Sequence, residues 1–124
     1  MITLGPVKDR KTVENLFAEN GLKCGKYSQC VAAKCGEITE GYCLFDMTAD
    51  KMIIKLIVPE EDIMLADGIL RSTLHVGAER SIMNAVYENT VSEKLLNKLG
   101  FVKDSKEKTI DTDRLFQGCQ SCKK

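Results

Sequence analysis

The sequence has no excess of either charge, because 18 Lys and Arg balance 18 Asp and Glu. No lysine or arginine cluster stands out apart from Lys123-Lys124. The chain therefore lacks the electrostatic footprint of a protein that binds nucleic acid or an anionic membrane, and neither is expected as a partner. No apolar run approaches the roughly 18 residues of a membrane span. Met1 leads directly into Ile2-Thr3-Leu4 without the basic and then apolar pattern of a signal region, so a cytoplasmic location is expected. Internal repeats and low-complexity segments are absent as well, which excludes solenoids and fibrous classes. Histidine occurs once, at His75.

What is present fits one ordinary domain. A chain of 124 residues buries about two-thirds of its unfolded surface in a single core. The expected organisation is one domain over residues 1–117 and a cysteine-containing tail over residues 118–124. The six cysteines in an otherwise normal composition read as reduced thiols or metal ligands, since cytosolic glutathione disfavours structural disulfides.

The stretch from Met52 to Arg80 organises the chain. Met52-Ile53-Ile54-Lys55-Leu56-Ile57-Val58 has the near-continuous apolar character of a strand buried on both faces. After Pro59 the period changes. Ile63, Ala66, Leu70, Leu74 and Gly77 recur at helical spacing, while Asp67, Arg71, His75 and Glu79 form the opposite, polar face. The turn into this helix is a natural anion site, because a helix N-terminus leaves backbone N–H groups free.

Around this unit the reading is a strand over residues 2–7, a helix over 9–20, and an irregular connection over 22–27. Strands over 29–34 and 41–47 follow, joined by a turn at residues 35–40. With the strand at 52–58 they form an antiparallel meander. After the long helix come a strand over 81–87, expected to pair in parallel by a right-handed crossover, a short helix over 89–98 ended by Gly100, and strands at 101–102 and 109–116 around a charged turn. The fold class is α+β, with a mixed, mostly antiparallel sheet of about six to seven strands and about three helices.

This order resembles the GNAT superfamily of acetyl-CoA-dependent N-acyltransferases over nearly the whole chain. Locally, Asn89, Ser92 and the run Leu95-Leu96-Asn97-Lys98-Leu99-Gly100-Phe101 resemble the family pattern of Asn, two residues, Ala, and a helix ending Tyr-Glu-Lys-Leu-Gly-Phe. The resemblance implies splayed central strands, with a V-shaped opening between residues 52–58 and 81–87. It implies acetyl-CoA in that opening, its pantetheine arm along Ile57 and Val58 and its pyrophosphate on Met64, Leu65, Ala66, Asp67 and Gly68, with Asn89 beside it. It implies an amine, on a small molecule or a peptide, attacking the thioester directly, and a homodimer is compatible with it. Such chemistry needs a base for the ammonium proton, donors for the oxyanion, and often a tyrosine that protonates the thiolate.

The departures from the family pattern are specific. Met64 and Ala66 stand where the family turn has its two small residues, and Glu60, Glu61 and Asp62 where it has a basic or amide residue. Carboxylates in a first helical turn favour the helix dipole. They also repel a pyrophosphate by on the order of 1 kcal/mol per close pair in water. Leu96 stands where the family has its acid tyrosine, and residues 22–27 replace a second helix that shapes the acceptor site.

Among single residues, His75 reads as a solvated member of the polar face. Tyr87 and Asn89 are candidates to reach the thioester; core packing explains Tyr87 equally well, and helix capping Asn89. Tyr42, Cys43 and Phe45 lie on a meander strand of the kind that supplies acceptor groups in the family, and Cys43 is also a small buried hydrophobe. Cys30 and Cys35 would face opposite sides of a regular strand. Cys119 and Cys122 form a CxxC, half of a zinc or Fe–S site, which Cys24 with Cys30 or Cys35 would complete only if the tail folded back. Two readings stand side by side: an N-acetyltransferase, or a binding or regulatory protein of the same fold with a degenerate CoA site, sensing metal or redox state through its cysteines.

Overall fold

A computed structural model describes residues 1–113 and residue 115. The elements are β1 (Ile2–Pro6), α1 (Arg10–Glu19), β2 (Ser28–Cys35), β3 (Ile38–Met47), β4 (Met52–Val58), α2 (Ile63–Ala78), β5 (Ala85–Tyr87), α3 (Glu93–Leu99), β6 (Val102–Asp104) and β7 (Thr109–Ile110). They build a seven-stranded sheet in the order β1-β2-β3-β4-β5-β7-β6. Every pairing is antiparallel except β4 with β5. The expected α+β class, meander and parallel crossover are all present. Among the described residues no helix is long and apolar enough to cross a membrane.

Strand β4 is covered on both sides, which explains its near-continuous apolar run. On one face Met52, Ile54 and Ile57 pack with Ala66, Leu70 and Leu74 of α2 and Leu95, Leu96 and Leu99 of α3. On the other, Leu56 adjoins a smaller cluster of Val13 and Phe17 from α1 with Cys30 and Leu44. Strand β3 divides its side chains in the same way, Cys43, Phe45 and Met47 on the α2 side and Leu44 on the α1 side.

Local chemistry sets the helix ends. Asp62 accepts from Leu65 N–H at 3.1 Å and caps α2. Ser92 does the same for α3 through Leu95 N–H at 3.2 Å. Gly100 takes a left-handed φ of 80°, and Phe101 N–H turns back to Leu96 O at 3.1 Å.

Four boundaries differ from expectation. The β2–β3 hairpin turns at Gly36 and Glu37, with Gly36 at φ 65°, so both strands extend into the expected turn at 35–40. Strand β5 starts at Ala85 instead of residue 81, because Ser81 adopts φ 63° and Ile82 N–H still bonds to Gly77 O at 2.8 Å. Helix α3 starts at Glu93 instead of residue 89, since Val91 N–H closes a turn onto Glu88 O at 3.0 Å. Asn89 is therefore not its cap. Among the described residues strand β7 covers only Thr109–Ile110, where the Asp111 carboxylate receives Asp113 N–H at 3.2 Å, and residues 114 and 116 of the expected strand lie outside the described residues.

One glycine is required by close approach. A Cβ on Gly41 would lie 2.5 Å from Val58 O and 2.8 Å from both Ile69 Cδ1 and Pro59 Cδ, so β3 can lie against the end of β4 only without a side chain there. Gly41→Ala is expected to destabilise the protein by about 1–3 kcal/mol through overpacking. Urea unfolding checks this as a lowered midpoint at unchanged slope.

Candidate functional site

The parallel pairing of β4 and β5 covers Met52↔Ala85, Ile53↔Val86 and Ile54↔Tyr87, and its last rung is Glu88 N–H to Ile54 O at 3.0 Å. Beyond that rung β4 runs on to Val58 while the other chain turns away. This is the expected V-shaped opening, with its apex at Ile54 and Glu88. At the same point β4 carries a bulge. Leu44 faces Leu56 and Phe45 faces Ile54, so Lys55 has no partner on β3. The extra residue reverses the alternation, which is why Ile57, not Leu56, joins Ile54 on the α2 side.

Lys55 is the one charged side chain in β4, and it is only 17% exposed. Its ammonium lies 3.3 Å from Asp46 Oδ2 on β3 and 3.7 Å from Glu88 Oε1 just past β5. Asp46 is held in turn by Ser28, whose buried hydroxyl donates to Asp46 Oδ1 at 2.7 Å. Arg10 fastens this corner to α1 by donating to the carbonyl oxygens of Ser28 and Gly25. A line of polar groups thus runs from α1 to the apex of the V. Sequence reasoning missed it, although a lone lysine in an aliphatic strand was the available signal.

At the start of α2 the acidic residues sit differently from expectation. Glu60 and Glu61 precede the helix instead of occupying its first turn, and Asp62 is the cap. Its carboxylate already takes the Leu65 N–H, one of the amides an anion would use. Met64 is 87% exposed, Leu65 and Gly68 are half-buried, and Ala66 and Ile57 are buried beside half-buried Val58. Asp67 pairs with Arg71 at 2.8 Å, and the guanidinium lies 5.3 Å from the centre of the Phe101 ring. Glu60 and Glu61 share an open cleft of about 240 Å³ with Ser92, Lys94, Leu95 and Lys98 of the α3 region. Lys98 also borders a neighbouring cleft of about 270 Å³ with Met64, Asp67 and Arg71. Acidic and basic groups therefore face one another across the groove, which the sequence alone did not reveal.

Tyr87 and Asn89 line a third opening of about 400 Å³ with Glu88, Thr90 and Lys108, apart from the α2 turn. Asn89 is exposed there. The Tyr87 ring is buried, and its hydroxyl donates to Glu93 Oε1 at 2.7 Å. Burial, and then the adjacent Glu93, push its pKa up to about 12. Leu96 is fully buried in the core. His75 is exposed on the outer face of α2.

The cysteines divide by environment. Cys30 and Cys43 are buried on the α1 and α2 sides of the sheet, and burial pushes both thiols up to about 12. Cys35 is exposed, and Cys24 is half-buried with its sulfur 3.6 Å from an Arg10 nitrogen. Among the described residues no three metal-binding side chains converge. Cys119 and Cys122 lie outside the described residues.

No family model matches the sequence, and no curated protein matches it. A solved structure does. The chain is similar to a GNAT family acetyltransferase from Elizabethkingia anophelis with acetyl-CoA bound, at 12% identity and a TM-score of 0.56, over 83% of this chain and 78% of that one. At this identity the likeness is one of fold.

Two measurements check these environments. With Cys119 and Cys122 changed to Ser, a thiol reagent is expected to label Cys35 rapidly and Cys30 and Cys43 only after unfolding. For Tyr87 the folded pKa lies above that of the unfolded chain, so its stabilising effect is complete at neutral pH and is lost as pH rises from about 10 to 12. The difference in phenolate absorbance between wild type and Tyr87→Phe is expected to titrate near that upper value.

Proposed function

We propose that the chain is an acyl-CoA-dependent N-acyltransferase that moves an acetyl group from acetyl-CoA to an amine by direct attack. The observation that carries this reading is the V between β4 and β5 with a bulge at its apex. Past Ile54 the edge of β4 facing β5 is released from the ladder, so its backbone can pair with a pantetheine arm along Lys55, Ile57 and Val58. Pro59 ends that edge, having no N–H to offer. The bulge sets the Lys55 backbone out of register with β3 at the apex of the V, the position this reading gives to the oxyanion donor. Bound acetyl-CoA supplies an activated acyl group and a good leaving thiolate, so the chain's own task is to orient an amine and accept its proton.

The donor set fits the pantetheine end better than the phosphate end. With Asp62 occupying the Leu65 amide and Glu60 and Glu61 at the turn, the phosphates are better received on the α3 side of the groove, by Lys94 and Lys98. Leu96 supplies no acid, so thiolate protonation falls to solvent or to Tyr87, whose high pKa and bond to Glu93 favour solvent. The capped, acidic turn favours a second reading, in which the fold has lost the coenzyme and serves as a binding or regulatory module.

Calorimetric titration with acetyl-CoA and free CoA separates the two. The enzyme reading expects binding below millimolar ligand, a gain of about five- to tenfold on Glu61→Arg, and a loss of similar size on Lys98→Glu. Absence of binding at millimolar ligand would leave the binding-module reading.

A further inference from the structure

We propose that Lys55 is an acylation site of the chain itself, receiving an acyl group from a thioester held in the V between β4 and β5. The inference rests on the acyl-donor reading of that opening and goes beyond it by naming a nucleophile. Lys55 is the bulge residue, and its ammonium bridges from β4 to Glu88 across the point where the two strands part. A thioester seated along the released edge of β4 would lie beside the residue that carries this amine. Asp46, anchored by Ser28, holds the amine in place from β3.

Glu88 is placed to take the proton. It is 46% exposed and lines the opening of about 400 Å³, so a proton it accepts can pass to solvent. In the reaction the Lys55 ammonium gives a proton to the Glu88 carboxylate, and the freed Nζ lone pair forms a bond to the thioester carbonyl carbon. The C–S bond breaks and its electron pair leaves on the sulfur, and the second proton of the attacking nitrogen, which the amide does not keep, passes through water to that thiolate to give the thiol. The product amide is neutral. It breaks both ion pairs of Lys55 and leaves Asp46 and Glu88 without their shared counter-charge, so acylation at this position weakens the link between β3, β4 and the chain after β5.

The pattern of reactivity distinguishes this from general surface chemistry. A thioester reacting at random modifies exposed lysines such as Lys26 and Lys106 before a lysine that is 17% exposed. The probe is S-acetyl-N-acetylcysteamine, which carries the thioester without phosphates, run in parallel with acetyl-CoA and read by peptide mass spectrometry. Acetylation of Lys55 is expected about tenfold faster than that of Lys26 in the folded protein, with the preference gone in urea. Glu88→Gln and, separately, Asp46→Asn, each confirmed as folded by circular dichroism, are expected to slow labelling of Lys55 several-fold without changing that of Lys26. Lys55 labelled no faster than Lys26, or the same ratio in urea, would overturn the inference. Calorimetry on the same samples separates the two claims. Acetyl-CoA binding without Lys55 labelling overturns the acylation site and leaves the transferase reading, whereas labelling by the short thioester without CoA binding supports the site and confines the failure to the coenzyme end.

Discussion

Strand β4 lies at the centre of the sheet with apolar side chains packed on both faces, and most other features follow from how it is held there. One edge is paired with β3 from Met52 to Val58 except at the bulge residue Lys55, while the other is paired with β5 only as far as Ile54. Burial on both faces fixes the strand in space even where its second edge is released. That combination keeps a run of backbone polar groups beside an opening without letting the strand move, which is what a preorganised site requires. Gly41 belongs to the same constraint, since the approach of β3 to Val58 and Pro59 leaves no room for a side chain.

A charge in such a strand needs partners. Lys55 finds them in Asp46 and Glu88, one on each side of the strand, and Ser28 and Arg10 extend the support to α1. Groups that would be costly if buried alone are made tolerable by being joined. The bulge is the means, because an extra residue at this point lets the lysine serve the α1 side while Ile54 and Ile57 both serve the α2 side. A structural compensation and a reactive location therefore coincide at one residue.

The start of α2 shows a different compromise. Asp62 satisfies the first turn with its own carboxylate, which stabilises the helix and at the same time competes with any external anion for the same amide. Lys94 and Lys98 then balance Glu60 and Glu61 from α3, a helix that reaches this groove because its leucines share the core with α2. The electrostatics of the groove are thus a property of two helices and not of the turn alone.

Much of the fold was legible in the residues. The aliphatic run of β4, the helical spacing of α2 and the Gly100 stop each express a local rule of burial, period or backbone conformation, and each element is found where its rule puts it. Boundaries were less legible where a left-handed residue, a single local backbone hydrogen bond or a side-chain bond to the main chain decides the end, as at Ser81, Val91 and Asp113. The splay was implied by the resemblance of the element order to a family, and the structure contains it. The site's charges were not readable, because Asp46, Lys55 and Glu88 lie on three segments and become neighbours only when β3, β4 and β5 align. By itself the sequence determined which segments are strands and helices and that the sheet is mixed, since those follow from neighbours along the chain. Tertiary structure alone decided which carboxylates meet which ammonium and which groove faces which helix, since those depend on register, and a one-residue bulge is enough to reassign every contact beyond it.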